Sequence, residues 1–330
     1  MKHVSILVPV GESVLSSIVG AYKVFNKVNE YLVMSGRDEK DCFDIDLVGL
    51  TDETNLYQGH FNVKPTKNIS EVEKTDLIII TTIIGDMEKE LKDNAAFVPW
   101  MKKQRMENNA EIASLCAGAF LLAETGLLNG KSCSTHWVVA DAFRNRYPQI
   151  NLQSEKVICE DNGIYSSGGA YSFLNLLLHL VEKYSGREVA IFCSKLFEIE
   201  IDRDNQNQFT IFNGQKDHMD QPIKSAQSYI EEHFKEKINV EELAMKFALS
   251  RRNFVRRFKK ATSNTPIEYI QRVKIEAAKK SLESSADSIN NVMFEVGYND
   301  QKSFRNIFRK YTGLTPLDYR KKYNREAALI

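Results

Sequence analysis

The sequence predicts a two-part protein: an α/β domain with a mostly parallel sheet, then an all-α domain built from two helix-turn-helix units. Three observations carry this expectation. Over residues 1–185, short β-branched or apolar runs alternate with longer helical patterns, the order that arises when helices cover both faces of a parallel sheet. From Pro222 onward almost every segment has helical periodicity, and a stretch of twenty residues recurs fifty positions later. The charge divides in the same region. Residues 1–216 hold 22 Lys/Arg against 29 Asp/Glu, whereas 217–330 hold 22 against 15. A formal net charge of +0 hides an acidic body joined to a basic tail, the asymmetry expected when one part meets phosphates and the other does not.

Each element follows in order. The runs 4–10, 43–48, 76–83 and 111–116 have strand length, and 14–29 and 87–107 are long and polar enough to be helices. Residues 157–159 and 164–167 read as a hairpin turned at Asp161-Asn162-Gly163. A helix over 171–184 carries Phe173, Leu174, Leu176, Leu177, Leu178, Leu180 and Val181. Residues 203–221 are polar and without sustained periodicity, so they read as a linker between a domain at 1–202 and a second at 222–330.

Composition narrows the function classes. Apolar residues at 43% and charged residues at 27% are ordinary for a globular protein. The longest mostly apolar run, 113–123, falls far short of the ~20 residues that span a bilayer, so no membrane partner is expected. The N-terminal Met-Lys-His and the run behind it lack a small-residue cleavage site and read as a first buried strand. The five cysteines, at 42, 116, 133, 159 and 193, are odd in number and lack metal-ligand spacing. They predict free thiols in a cytoplasmic setting, with no metal and no cofactor.

The repeat is the strongest signal. Between 250–269 and 300–319 seven of twenty positions are identical: Phe254/Phe304, Phe258/Phe308, Lys260/Lys310, Thr262/Thr312, Thr265/Thr315, Pro266/Pro316 and Tyr269/Tyr319. Upstream the offset becomes 49, pairing Val240 with Ile289, Leu243 with Val292, and Ala248 with Gly297. The last pair supplies the small residue at the turn where two helices cross closely. Ser250 and Asp300 are good N-caps for the second helix of each unit. At 100° per residue Phe254 and Phe258 share one face and Arg252, Arg256, Lys259 and Lys260 the other. In the second unit Phe304, Ile307 and Phe308 lie opposite Lys302, Asn306 and Arg309, with Gln301 and Arg305 flanking. Arg, Lys, Asn and Gln match base edges in the major groove of DNA.

These features bring out a resemblance. Residues 222–323 resemble an AraC/XylS-type DNA-binding domain along their whole length, through "VEELAMKFALSRRNFVRRFKKATSNTPIEYI" and "VGYNDQKSFRNIFRKYTGLTPLDYRKKY". The resemblance implies two units joined by a long helix, 266–282, that places two recognition helices in successive major grooves of double-stranded DNA. The base-reading positions it implies are Arg252, Val255 and Arg256 in the first helix and Gln301, Lys302, Arg305 and Asn306 in the second. Lys259, Lys260, Arg309 and Lys310 are placed for phosphate, giving affinity and salt dependence rather than specificity.

Upstream, residues 112–137 read "IASLCAGAFLLAETGLLNGKSCSTHW". An apolar strand ends at Cys116, and Ala117-Gly118-Ala119 opens a helix, so the thiol sits where free N–H groups can stabilise a thiolate or an oxyanion. His136 follows twenty residues later. Residues 3–200 resemble the PfpI-like branch of the class I glutamine amidotransferase-like superfamily, which implies a flavodoxin-like sandwich. The elbow at Cys116, "STHW" at 134–137 and "YSSGGAYSFLNLLLHLVE" at 165–182 carry that resemblance. "GREVA" at 186–190 and "RDNQNQF" at 203–209 are similar to the GlxA-type regulators, which fuse this domain to an AraC-type one. The sequence departs from the enzymes of the superfamily at two places. Ser17 stands at the position of the acidic partner, with Glu12 nearby but out of register, and Ala117 follows Cys116 where protease-like members have His.

The expectation is therefore a non-enzymatic transcription regulator. A small-molecule effector binds near Cys116, Ala117, Gly118, His136, Gly85 and Ser17, and the partners are DNA, a second copy of the chain and RNA polymerase. Two other readings remain: a cysteine-dependent amidohydrolase or aldehyde-modifying enzyme with a DNA-targeting domain, and a redox sensor at Cys116 with Cys133 or Cys159 as resolving thiol.

Overall fold

The computed structural model describes residues 1–37, 42–201 and 203–324. They fall into two units, Met1–Gln206 and Asn207–Ile330.

In the first unit, β1 (Lys2–Val8) leads into α1 (Leu15–Met34), then β2 (Phe43–Gly49), a small hairpin of β3 (Thr54–Leu56) and β4 (Phe61–Val63), and β5 (Lys67–Asn68). Next come β6 (Leu77–Ile80), α2 (Met87–Asp93), α3 (Phe97–Asn108), β7 (Glu111–Ser114) and α4 (Ala119–Glu124). β8 (Ser132–Cys133), α5 (Ala140–Arg146), β9 (Asn151–Leu152), β10 (Ile158–Asp161), β11 (Ile164–Ser167), α6 (Phe173–Ser185) and α7 (Arg187–Phe197) complete it. Seven strands form the central sheet in the order β10-β11-β7-β6-β1-β2-β5, parallel except for the β10–β11 hairpin. Alternation along each strand feeds two cores. Val4, Ile6, Val8, Leu77 and Ile79 face α1, α6 and α7, while Leu7, Ile78, Ile80 and Ile112 face α3, α4 and α5. The hairpin turn at Asn162 and Gly163 has both residues at positive φ, as its tight geometry requires.

Several expectations change. The helix over 87–107 is two helices. Pro99 sits in the first turn of α3, where its missing N–H has no helical partner to lose; in the interior of one long helix it would break a bond. The break also frees Asn94, whose side chain accepts the Val10 N–H and donates to the Val10 carbonyl, both at 2.8 Å. The strands at 76–83 and 111–116 end at Ile80 and Ser114, leaving Cys116 beyond its strand. The hairpin β3–β4 and the helices α5 and α7 stand where the sequence pattern predicts no element.

The second unit begins with a short 3₁₀ turn, Asn207–Phe209, and continues through α8 (Gln221–His233), α9 (Val240–Lys246), α10 (Arg251–Thr262), α11 (Pro266–Ser284), α12 (Ile289–Glu295), α13 (Gln301–Thr312) and α14 (Pro316–Tyr323). α11 joins two cores, one around Phe254, Phe258 and Tyr269, the other around Phe304, Phe308 and Tyr319.

The segment 203–221 is not a free linker. Gln206 is buried in the first unit, and the Asp204 carbonyl accepts the Val157 N–H at 3.0 Å. Beyond it, Phe212 packs edge-on to Tyr269, Lys279 Nζ donates to the Thr210 carbonyl at 2.6 Å, and Asp220 holds Arg257 through two bonds of 2.8 and 2.6 Å. A polar sequence without periodicity can still be fixed when its groups find buried partners.

Candidate functional sites

In the sheet of the first unit, β1 and β6 are neighbours, but the chain leaves β1 toward β2 and leaves β6 toward β7. A crevice therefore opens beyond their C-terminal ends, where open α/β sheets bind ligands. The loops there are fixed to each other: Val14 N–H reaches the Thr82 carbonyl and Ile84 N–H the Glu12 carbonyl, each at 3.0 Å.

Cys116 lies beside this crevice on a 3₁₀ turn with φ of 55°, a left-handed conformation that an L-residue adopts only under constraint. The constraint is visible. Its N–H donates to Ser167 Oγ at 3.3 Å, and its carbonyl accepts from Thr135 Oγ1 at 2.9 Å. Burial pushes the thiol above its ordinary range, against the opposing pull of the Ala170 and Ala117 N–H groups and the Thr82 hydroxyl. Burial outweighs that pull, so the neutral thiol is the favoured form. Ala170 is itself held at φ of 46°. All five cysteines are buried, and none forms a disulfide.

The other expected pocket residues are placed unequally. The Ala117 N–H works against the burial that raises the Cys116 pKa. Ser17 is fully buried, donating to the Val14 carbonyl at 2.7 Å and accepting the Thr82 N–H at 3.1 Å. It supports Thr82 rather than replacing a carboxylate at the thiol. Gly118 faces the sheet: a Cβ there would lie 2.7–2.8 Å from the Thr81 and Ile80 carbonyls, so glycine lets the helix start approach β6. The ring of His136 occupies the space where a Cβ on Gly169 would stand, and its Nδ1 accepts the Val138 N–H at 3.0 Å. Burial lowers its pKa, so Nε2 carries the proton of a neutral ring. His136 makes no hydrogen bond to Cys116; its ring lies against Gly169, the chain neighbour of Ala170. Gly85, at φ of 100°, lies away from the thiol contacts, beside Glu12 and the buried Glu90. Glu90 accepts the Glu12 N–H at 3.2 Å, and burial raises its carboxyl pKa. Thr82, Thr135, Ser167 and Ala170 are pocket residues that motif reading missed. The "STHW" and "YSSGGAY" segments contain three of them, but nothing in the sequence reveals which atoms turn inward.

In the second unit, Ser250 and Asp300 cap α10 and α13 by accepting the Asn253 and Ser303 N–H groups at 3.4 and 2.6 Å. Phe254, Phe258, Phe304 and Phe308 are buried, and Ile307 is partly so. On the outer faces Arg252, Arg256, Lys259, Lys260, Gln301, Lys302, Arg305, Asn306, Arg309 and Lys310 are exposed, and Val255 is half-buried among the arginines of α10. Ala248 and Gly297 sit at the turns with φ of 55° and 77°. The turn thus demands a left-handed residue as well as a small one. At Gly297 both needs act, because a Cβ would fall 2.2 Å from the Lys235 carbonyl oxygen.

Residues 18–183 match the DJ-1/PfpI family, and residues 243–322 match a helix-turn-helix domain. The HTH-type transcriptional regulator GbdR of Pseudomonas aeruginosa is 25% identical over 259 residues, covering 78% of this chain and 69% of that protein. The HTH-type transcriptional regulator ArgR of the same species is 26% identical over 219 residues, 66% of each. A solved structure from Vibrio parahaemolyticus is similar in fold to 59% of this chain over 98% of its own, with a TM-score of 0.52 at 24% identity. No helix among the described residues is long and apolar enough to cross a membrane.

Proposed function

The chain belongs to the DJ-1/PfpI family, extended by an AraC-type helix-turn-helix domain, and from that premise we propose a transcription regulator whose first unit binds a small-molecule effector beside Cys116 and whose second unit reads double-stranded DNA. The observation that carries the DNA half is the duplicated scaffold that presents two exposed faces of Arg, Lys, Gln and Asn, each behind a capped helix and a left-handed turn. Arg252, Val255, Arg256, Gln301, Lys302, Arg305 and Asn306 face bases, and Lys259, Lys260, Arg309 and Lys310 face phosphates. The effector half rests on the crevice geometry. We place Cys116, Ala117 and His136 at its wall, with Ser17 acting through Thr82, Gly118 shaping the helix start and Gly85 at the rim.

Selection of sheared genomic DNA on the full chain, followed by sequencing, tests the first half. Enrichment of fragments sharing a bipartite motif is expected; recovery proportional to length alone would refute base reading. Native mass spectrometry of the chain tests the rest, by the mass of a co-purified small molecule lost on Cys116→Trp and by a dimer peak. Co-purification with RNA polymerase on the enriched fragment tests that remaining partner.

One observation favours thiol chemistry as a second reading: Cys116 is held in a strained left-handed conformation, with its backbone tied to Ser167 and Thr135. A sulfenic acid at Cys116 after peroxide, with altered affinity for the enriched fragment, would support it.

A further inference from the structure

The "RDNQNQF" segment contains Gln206, the last residue of the first unit, and it is only 2% exposed. Its amide is fully engaged. Nε2 donates to the Thr135 carbonyl at 2.9 Å and the Ser154 carbonyl at 2.7 Å, and Oε1 accepts the Gly169 N–H at 3.0 Å. Its backbone N–H reaches the Glu155 carbonyl at 2.8 Å. A Cβ on Gly168 would lie 2.7 Å from the amide nitrogen, so the glycine makes room for this side chain. The preceding residues are zipped down as well, through Val157 N–H to Asp204 and a bridge between Lys156 and Asn205.

Both key partners stand one step from Cys116. Thr135 donates its hydroxyl to the Cys116 carbonyl. Gly169 lies against the His136 ring and precedes Ala170, whose N–H acts on the sulfur. Gln206 therefore bridges the two pocket loops, 134–136 and 168–170, and the next residue along the chain, Asn207, opens the second unit.

We propose that Gln206 is a positioning residue of the Cys116 pocket, which holds these two loops in register and passes a change at the thiol into the chain that enters the DNA-binding unit. The proposal rests on the sensor reading above. An adduct or ligand that displaces Ala170 must pull Gly169 from Oε1. A buried amide that loses one partner leaves donors and acceptors unsatisfied, so the segment 203–206 loosens as a set. The coupling is reciprocal, because a loosened segment frees the loops in turn.

Iodoacetamide is the probe, applied to the full chain: the Cys116 sulfur forms a bond to the acetamide carbon, iodide leaves, and the thiol proton goes to buffer. Peptide mass locates the adduct, and hydrogen exchange is read at 203–209 and at β1. In the wild type, modification at Cys116 raises exchange at 203–209 by about tenfold, the scale of one lost buried hydrogen bond, and leaves β1 unchanged. In Gln206→Met, close in size but unable to make the amide's bonds, Cys116 alkylates about tenfold faster and exchange at 203–209 is already high. Gln206→Glu, which sets a carboxylate against two carbonyl oxygens, does the same. Modified wild type with unchanged exchange at 203–209, or equal alkylation of wild type and Gln206→Met, including none in either, would overturn the proposal. If both variants fail to fold, the wild-type exchange arm decides alone. Binding of the enriched genomic fragments is measured in parallel. Their absence would defeat the regulator reading while the exchange result still judges Gln206.

Discussion

The two helix-turn-helix units share one plan on their buried side and differ on the outward one. Phe258 meets Tyr269 edge-on at 5.3 Å and 80°, and Phe308 meets Tyr319 at 5.5 Å and 81°. Thr262 and Thr312 each donate to the carbonyl four residues back at 2.8 Å and accept the N–H two residues on at 3.2 Å. Tyr269 and Tyr319 each donate to a glutamate, Glu231 at 2.6 Å and Glu283 at 2.5 Å. These repeated residues are the ones the core needs. Of the outward positions, only Lys260/Lys310 is repeated: Arg252 faces Lys302 across the repeat, Val255 faces Arg305, and Arg256 faces Asn306. Packing constrains a side chain from all directions and tolerates little change, whereas an exposed face is free to acquire a different base preference. The first face is the more basic; the second is richer in amide groups.

Three further contrasts separate the units. At the turn, the first uses Ala248 and the second Gly297; at the end of the helix that follows, the first uses Ser263 and the second Gly313, all four at positive φ. The position that is Arg257 in the first unit, bound to Asp220, is the partly buried Ile307 in the second.

The shared scaffold is tested most severely by Phe258→Ala and Phe308→Ala. Each should destabilise the second unit by about 3–5 kcal/mol in urea unfolding, and a large difference between them would break the symmetry. Next come the faces. Arg256→Ala and Arg305→Ala should each lose roughly 1–3 kcal/mol on an enriched fragment and relax preference at one base, while Lys260→Ala weakens all sequences and lowers the salt slope by about 1. If all three weakened specific and random DNA alike, the division of roles would be wrong. The turns should respond with opposite signs in thermal unfolding. Gly297→Ala costs at least the ~1–2 kcal/mol of left-handed strain, with the clash at Lys235 added, while Ala248→Gly stabilises by a few tenths to about 1 kcal/mol. Asp220→Asn should cost up to about 1 kcal/mol, the scale of a part-exposed ion pair. Arg257 holds the Asp220 carboxyl below its ordinary value. Its stabilisation is therefore present above the unfolded aspartate value near ~3.9 and is lost as pH falls through the lower folded value. Equal pH profiles for wild type and variant over pH 2–6 would remove the pair from the account.

Much of the second unit is legible in the sequence because its signals are local or repeated. Ser250, Asp300 and the Phe pairs act within a few residues of the helix they define, and a duplicated pattern is independent evidence given twice. In the first unit the alternation of strands and helices is legible for the same reason, and so is Cys116 at the end of an apolar run. The pocket around it is not. Ser167 is 51 residues from the Cys116 N–H it accepts, and Gln206 is 71 from the Thr135 carbonyl it reaches. Asn94, which divides the expected helix, answers to Val10 84 residues away.

By itself, then, the sequence determined the two folds, the doubled helix-turn-helix and the residues on its outer faces, since helix periodicity, caps and strand alternation are written in neighbouring residues. The tertiary structure alone decided that Cys116 is a buried thiol on a left-handed turn, that Ser17 serves Thr82, and that the supposed linker is anchored through Gln206. Those outcomes depend on burial and on which distant polar atoms find each other, and no short window of sequence contains both partners.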